Sequence, residues 1–326
     1  MSKSNKNKQS AQTPASPAAK VFDFCSKKRM ILIIAICVVA ALLLGIIIRG
    51  VKLAIEFKGG TMLTYSYDGT LDVNAIANTA ENIVGVPVTA RTGESLADDS
   101  RQITLSFTSE EGLNADRQFE LTEALTSEFP DNQLVLFDSN DVSPASGREF
   151  LLKCLLAVII AALLVIIYIA IRFSKIGGWS AGVCSIFALC HDLAAALAVS
   201  ILVGFEFNAN IVAVILTILG YSINNTIVIY DRIREDRTLY PKATLNELIN
   251  MGCSQSLKRS IRTSITTIGT MVIVSIVVLV SGYTSLLSFS VPLIAGLVSG
   301  TYSSIFVAPV TWSWWKAREN YKKSAE

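Results

Sequence analysis

The sequence predicts an α-helical polytopic membrane protein: six transmembrane helices and one α+β ferredoxin-like extracytoplasmic domain. Three observations lead there. Apolar residues make up 52% of the 326 and come in long blocks, with a mean hydropathy of +0.51, above that of an ordinary soluble protein. Six of these blocks are long enough to cross hydrocarbon. The one long polar stretch, residues 50–149, has the size of a single small core. The net charge of +2 gives no sign of a nucleic-acid partner.

Residues 1–29 read as a disordered tail and basic flank. Residues 1–20 are Ser, Asn, Lys, Gln, Pro and Ala, with too little apolar surface to fold. No prompt apolar stretch with a cleavage site follows, so the tail is not a signal peptide. Lys27, Lys28 and Arg29 then precede residues 30–48, an uncharged first span.

Within 50–149, residues 61–67, 86–91, 102–107 and 133–137 have strand character, the last before a loop containing Pro144. Residues 71–84 place Val73, Ile76, Ala80 and Ile83 at helical spacing, and 114–129 bury Leu121, Leu125 and Phe129. The order βαββαβ is that of a ferredoxin-like sandwich. The domain is acidic, for example at Asp98, Asp99, Glu110 and Glu111, which is compatible with translocation. Cys25, Cys37, Cys154, Cys184, Cys190 and Cys253 all lie outside it, so no disulfide staples it.

Residues 150–315 hold five more spans, near 154–171, 179–203, 211–230, 264–281 and 286–310. Arg172 and Lys175 follow the second span; Arg232, Arg234, Arg237, Lys242, Lys258 and Arg259 follow the fourth. Lys316, Arg318, Lys322 and Lys323 lie in the tail, 316–326, whereas 204–208 and 282–285 carry no Lys or Arg. This pattern places both termini in the cytosol and residues 50–149 outside. Residues 231–262 form a cytoplasmic amphipathic loop. Within it, 236–258, with Leu245, Leu248, Ile249 and Met251, is expected to lie along the membrane face as a connecting helix.

The fourth span, LTILGYSINNTIVIYDRIRE over 216–235, carries the polar centre of the chain. Thr217, Tyr221 and Asn225 fall on one helical face, flanked by Ser222 and Asn224. Such groups either bond neighbouring helices or line a conduction path, and their density favours the path. His191 and Asp192, about 18 Å along the third span, form a structural pair or a second protonation site. Asp231, Arg232, Arg234 and Glu235 form an interfacial charge network at the end of the helix. Gly296 and Gly300 permit close helix packing. His191 is the single histidine, and no zinc-ligand spacing, phosphate loop or nucleophile–base pair occurs, so neither an enzyme nor a cofactor is expected. No internal repeat is visible. Six spans with one polar centre look like half of a pseudo-symmetric transporter, which implies a second bundle.

Five ordered motifs together resemble the SecF family of bacterial protein-export membrane subunits. They are the fourth-span sequence, Phe57-Lys58-Gly59-Gly60-Thr61 at the start of the outer domain and His191-Asp192 in the third span. The others are 259–267 (RSIRTSITT) at the start of the fifth span and Gly300-Thr301-Tyr302-Ser303-Ser304 in the sixth. The resemblance implies a fold of the RND transporter type. It also implies SecD, the SecYEG translocon, translocating secretory proteins and the lipid bilayer as partners, and use of the proton-motive force in export. It matches Arg259 to the family's fifth-span arginine, with Arg262 one turn on. Either reaches Asn225 or simply sets topology. The chain departs from the family at Asn225, where the usual Tyr-Ser-x-Asn-Asp-Thr has an aspartate. An amide does not ionise, so the titrating group moves to SecD. A sodium-driven variant, an RND-type small-molecule or lipid exporter and a non-conducting half that braces SecD are the alternatives.

Overall fold

The computed structural model describes residues 21–94, 100–108, 112–281 and 286–325. The tail 1–20, Asp98, Asp99, Glu110, Glu111, the loop 282–285 and the side chains of Lys175, Lys322 and Lys323 lie outside the described residues.

Among the described residues, six helical segments are long and apolar enough to cross a membrane. They are α1 (Lys28–Arg49), α5 (Pro144–Arg172), α6 (Gly178–Val203), α7 (Ala209–Leu239), α8 (Leu245–Val280) and a sixth. The sixth is composite: α9 (Leu287–Tyr302), a π-helical turn (Ser303–Val307) and α10 (Ala308–Ala325). α6 is the central helix. It is rich in small residues, and Ala181, Gly182, Ser185, Ala188, Ala194, Ala196 and Ala198 are all buried, so neighbouring helices approach it closely. Trp312 of α10, fully buried, donates its Nε1–H to Ser180 Oγ at 3.1 Å and fixes the last helix against α6. α5 and α1 instead expose long apolar side chains, among them Leu156, Leu164, Ile33 and Ile47, as helices facing lipid do.

The soluble domain begins with a single turn, α2 (Ile55–Lys58). Then come β1 (Gly60–Tyr67), α3 (Val73–Val84), β2 (Val88–Glu94), β3 (Arg101–Phe107), α4 (Ala115–Glu128) and β4 (Val135–Val142). The sheet order is β2-β3-β1-β4, with every neighbouring pair antiparallel. This is the split βαβ arrangement expected for βαββαβ. Leu63, Tyr65, Ile76, Ala80, Ile103, Leu105, Phe107, Leu121 and Leu125 form its core, each at 0% exposure. Ile83, placed on the core face of α3 by its spacing, is exposed because α3 ends one residue later at Val84, with Gly85 following in the left-handed conformation. β4 also runs beyond 137. It reaches Val142, and Pro144 lies in the first turn of α5, where its missing N–H costs nothing, with Ser143 as N-cap.

Two glycines seat the domain on the bundle. A Cβ at Gly60 (φ 141°) would lie 2.1 Å from the Phe107 carbonyl oxygen, and one at Gly59 (φ 89°) would lie 2.6 Å from Pro144 N. The chain therefore enters the domain pressed against the residues by which it leaves. Phe57 and Phe150 stack across this junction at 5.6 Å.

Two expectations are corrected at the opposite end of the bundle. Residues 231–262 are not an amphipathic loop, and no separate connecting helix exists over 236–258. α7 continues to Leu239. α8 starts at Leu245 behind a Thr244–Glu247 capping box and runs 36 residues without a break, about 54 Å. No glycine in a strained conformation or proline interrupts it, so the amphipathic stretch and the fifth span are one rod. Residues 22–25, ahead of the first span, are clipped to α8. The Phe24 and Cys25 N–H groups donate to Asn250 Oδ1 at 2.9 and 3.2 Å, and Asn250 Nδ2 donates to Asp23 Oδ1 at 3.0 Å. Phe24, 5% exposed, packs on Phe306.

Candidate functional site

Asp192 sits near the middle of α6, fully buried, where a carboxyl without partners would be costly. It has partners from two other helices. Ser222 of α7 donates to Oδ2 at 2.6 Å, and Ser303, at the start of the π turn, donates to the same oxygen at 2.6 Å. Ser299 of α9 donates to Oδ1 at 2.7 Å, and His191 Nδ1 lies 3.3 Å from Oδ1. Ser304 Oγ donates to the Ser222 carbonyl at 3.0 Å, closing the cluster. Helix geometry brings these groups together: Ser299 and Ser303 are four apart on one face, and Gly300 between them lets α9 touch Ser222. Hydroxyls donate and accept. The cluster can therefore hold a carboxylate through three donated bonds, or a carboxylic acid with one hydroxyl turned to accept.

A second polar group joins α7, α8 and α9. Tyr221 OH and Thr301 Oγ1 each donate to Ser264 Oγ at 2.8 Å. α7 and α8 are antiparallel, and the Tyr221–Ser264 bond and the contact of Ile233 with Gly252 fix one register. That register puts Asn225 level with Ser260. Asn225 is 5% exposed with Nδ2 unpartnered, and Ser260 is 3% exposed with Oγ unpartnered. Arg259 and Arg262 are exposed and neither is bonded to Asn225, so the expected reach of these arginines to the amide is not found.

The expected single polar face of α7 is in fact two. Ser222, Asn225 and Thr226 are buried, and Tyr221 is half-buried. Thr217 and Asn224 are exposed on the other side, Thr217 bonding only its own helix at Ala213 O. On α8 the polar residues Arg262, Thr263, Thr266 and Thr270 are exposed as well. The charge network at the end of α7 is present and larger than expected. Asp231 Oδ1 accepts from Arg172 at 2.9 Å and Arg234 at 2.7 Å, and Arg232 meets Glu235 at 2.5 Å and also bonds Gln255. His191 keeps Nε2 unpartnered, and its ring lies 6.1 Å from that of Tyr302.

Sequence reasoning did not single out Ser299, Ser303, Ser304, Ser264 or Thr301 as site residues. Thr301, Ser303 and Ser304 lie inside the sixth-span motif and Ser264 inside the fifth-span one, and the four-residue spacing of Ser299 and Ser303 is the available signal for Ser299. No group of three or more His, Cys, Asp or Glu suited to a metal occurs among the described residues.

Comparison with known proteins agrees with this architecture. The family described as protein export membrane protein SecD/SecF, C-terminal, matches residues 122–318, and the SecD/SecF GG motif matches residues 45–70. The protein translocase subunit SecF of Petrotoga mobilis is 31% identical over 308 residues, covering 93% of this chain and 99% of the relative. The protein translocase subunit SecDF of Thermus thermophilus is 31% identical over 90% of this chain and 38% of its own length. The crystal structure of SecDF from Thermus thermophilus, a translocon-associated membrane protein, superposes with a TM-score of 0.75 at 29% identity. That match covers 93% of this chain and 40% of the SecDF chain, so this chain spans well under half of the fused relatives.

Proposed function

Because the chain belongs to the SecD/SecF family of protein-export membrane proteins, we propose that it is the SecF-type half of an export device completed by SecD. Working beside the SecYEG translocon in the bacterial cytoplasmic membrane, the pair uses the proton-motive force to assist secretory proteins across. Both termini are cytoplasmic, and the ferredoxin-like domain lies outside.

The observation that carries this reading is a set of exposed polar residues on two spanning helices. Thr217 and Asn224 of α7 and Arg262, Thr266 and Thr270 of α8 leave their chain facing outward, within apolar helices where lipid contact is unfavourable. A second bundle covers them, and relatives that carry SecD and SecF parts in one chain supply the natural candidate. Asn225 is buried within this chain and cannot ionise. Proton loading then falls to the SecD half or to Asp192, the only acidic side chain in the middle of a span among the described residues. One elementary charge crossing the membrane is worth about 2.3 kcal/mol per 100 mV, enough to bias a two-state element.

The test is proton-motive-force-stimulated translocation of a secretory protein into inverted vesicles, with the SecD partner held at equal abundance. Wild type is compared with Asn225→Leu and Asp192→Asn. Loss of the stimulation in either variant supports a coupling role for that side chain. Full stimulation in both removes this half from the ion path and leaves it bracing SecD.

A further inference from the structure

We propose that the groove between α1 and α10 binds an anionic phospholipid. At the end of the bundle where α1 begins, α1 and α10 leave an apolar cleft of about 180 Å³, walled by Ile31, Leu32, Ala35, Val310 and Trp314. A second cleft of about 530 Å³ lies beside it against α6, walled by Val183, Phe187 and Trp315. Leu32, Thr311 and Trp314 belong to both, so the two form one branched depression. Its apolar walls suit segments of acyl chain under one headgroup.

The mouth of the groove is cationic. Lys28 and Arg29 line the first cleft and Arg318 the second, and none of the three has a carboxylate within 4.0 Å among the described residues. Glu319, also at the mouth, is engaged by Lys316 Nζ at 2.7 Å. Arg318 stacks its guanidinium over Trp314 at 5.6 Å, which holds it at the rim. Trp314 and Trp315 are 53% and 47% exposed, as anchoring residues at a membrane–water boundary are. An apolar partner helix would satisfy the walls but would leave three cations without an acceptor. A phosphodiester satisfies both, and basic pockets between membrane helices select such headgroups.

The experiment is native mass spectrometry of the purified full chain with phosphatidylglycerol or phosphatidylcholine added, alongside thermal melting to verify folding. Wild type is expected to retain phosphatidylglycerol in preference to phosphatidylcholine. Arg318→Ala and the pair Lys28→Ala/Arg29→Ala should each lower phosphatidylglycerol occupancy, by about five-fold per cation removed. Lys58→Ala, at the far end, should not. Equal retention of the two lipids by wild type, or unchanged phosphatidylglycerol occupancy in the folded cation variants, overturns the proposal. A photo-crosslinking probe at Leu32 in native membranes gives the second arm: a lipid adduct supports the site, and a protein adduct alone sinks it.

Discussion

Arg91 Nη2 on β2 and Glu206 Oε2 in the loop joining α6 to α7 lie 2.9 Å apart. Thr89 adds a donated bond to Glu206 Oε1 at 2.5 Å. The soluble sheet is thereby bonded directly to the loop that follows the helix carrying Asp192. The same loop receives a second tie, because Phe207 N–H donates to the Lys52 carbonyl and Ala54 N–H to the Phe207 carbonyl.

Removing Glu206 leaves a half-buried guanidinium and a hydroxyl without their acceptor. Glu206→Ala should therefore loosen the domain's seat by about 1–3 kcal/mol. A double-mutant cycle with Arg91→Ala should show coupling of about 0.5–3 kcal/mol. Hydrogen exchange of β2 and residues 204–208 reads both. Unchanged exchange in Glu206→Ala would show that the ion pair does not hold the domain.

The three hydroxyls around Asp192 make its substitutions unequal. Asp192→Leu strips the acceptor from Ser222, Ser299 and Ser303 together and should cost about 3 kcal/mol or more. Asp192→Asn keeps volume and one acceptor and should cost less. Ser222→Ala should cost about 1 kcal/mol, since one donor of three is lost. Melting of the purified protein ranks them. Leu as benign as Asn would mean that the cluster contributes no stability.

Gly60→Ala should prevent the outer domain from seating, because the new methyl would collide with the Phe107 carbonyl at an already left-handed φ. Gly93→Ala is the matched control, since nothing lies within 4 Å of its added carbon. Protease resistance of residues 50–149 distinguishes them. Equal resistance would refute the steric account.

The Ser26 N–H, then the Asn250 side chain, hold the Asp23 carboxyl below its ordinary value. A carboxyl depressed in the folded state supports the fold above its unfolded value and loses that support as pH falls through the folded one. The clip of residues 22–26 on α8 should thus open only below the ordinary aspartate value, about pH 3.9. Asp23→Asn should flatten the response. Exchange of the 22–26 amides against pH is the measurement.

The spans and the sandwich were legible because their signals are periodic and local. Ile103, Leu105 and Phe107 alternate and are all buried, and the long apolar runs became the spanning helices. The site was legible only in part. Asp192, Ser222 and Asn225 stand out as polar groups in apolar helices, but that Ser222 and Asn225 lie on the inner side of α7 while Thr217 and Asn224 lie on the outer depends on where α8 and α9 pack. Helical spacing gives an angle between residues and no direction toward a neighbour. Continuity of α8 was hidden for a related reason: a change from amphipathic to wholly apolar composition looks like a boundary, although the backbone has none.

The π turn at Ser303–Val307 amounts to one residue more than an α-helix needs over the same rise. One residue of α-helix is about 100° of rotation. The sixth span therefore presents one angular setting before the turn, where Ser299 and Ser303 meet Asp192, and another after it, where Trp312 meets Ser180. Deleting Ile305 would merge the two settings. One contact set would be kept and the other swung away, so the protein reads as two shorter half-helices clocked separately and joined by a single spare residue.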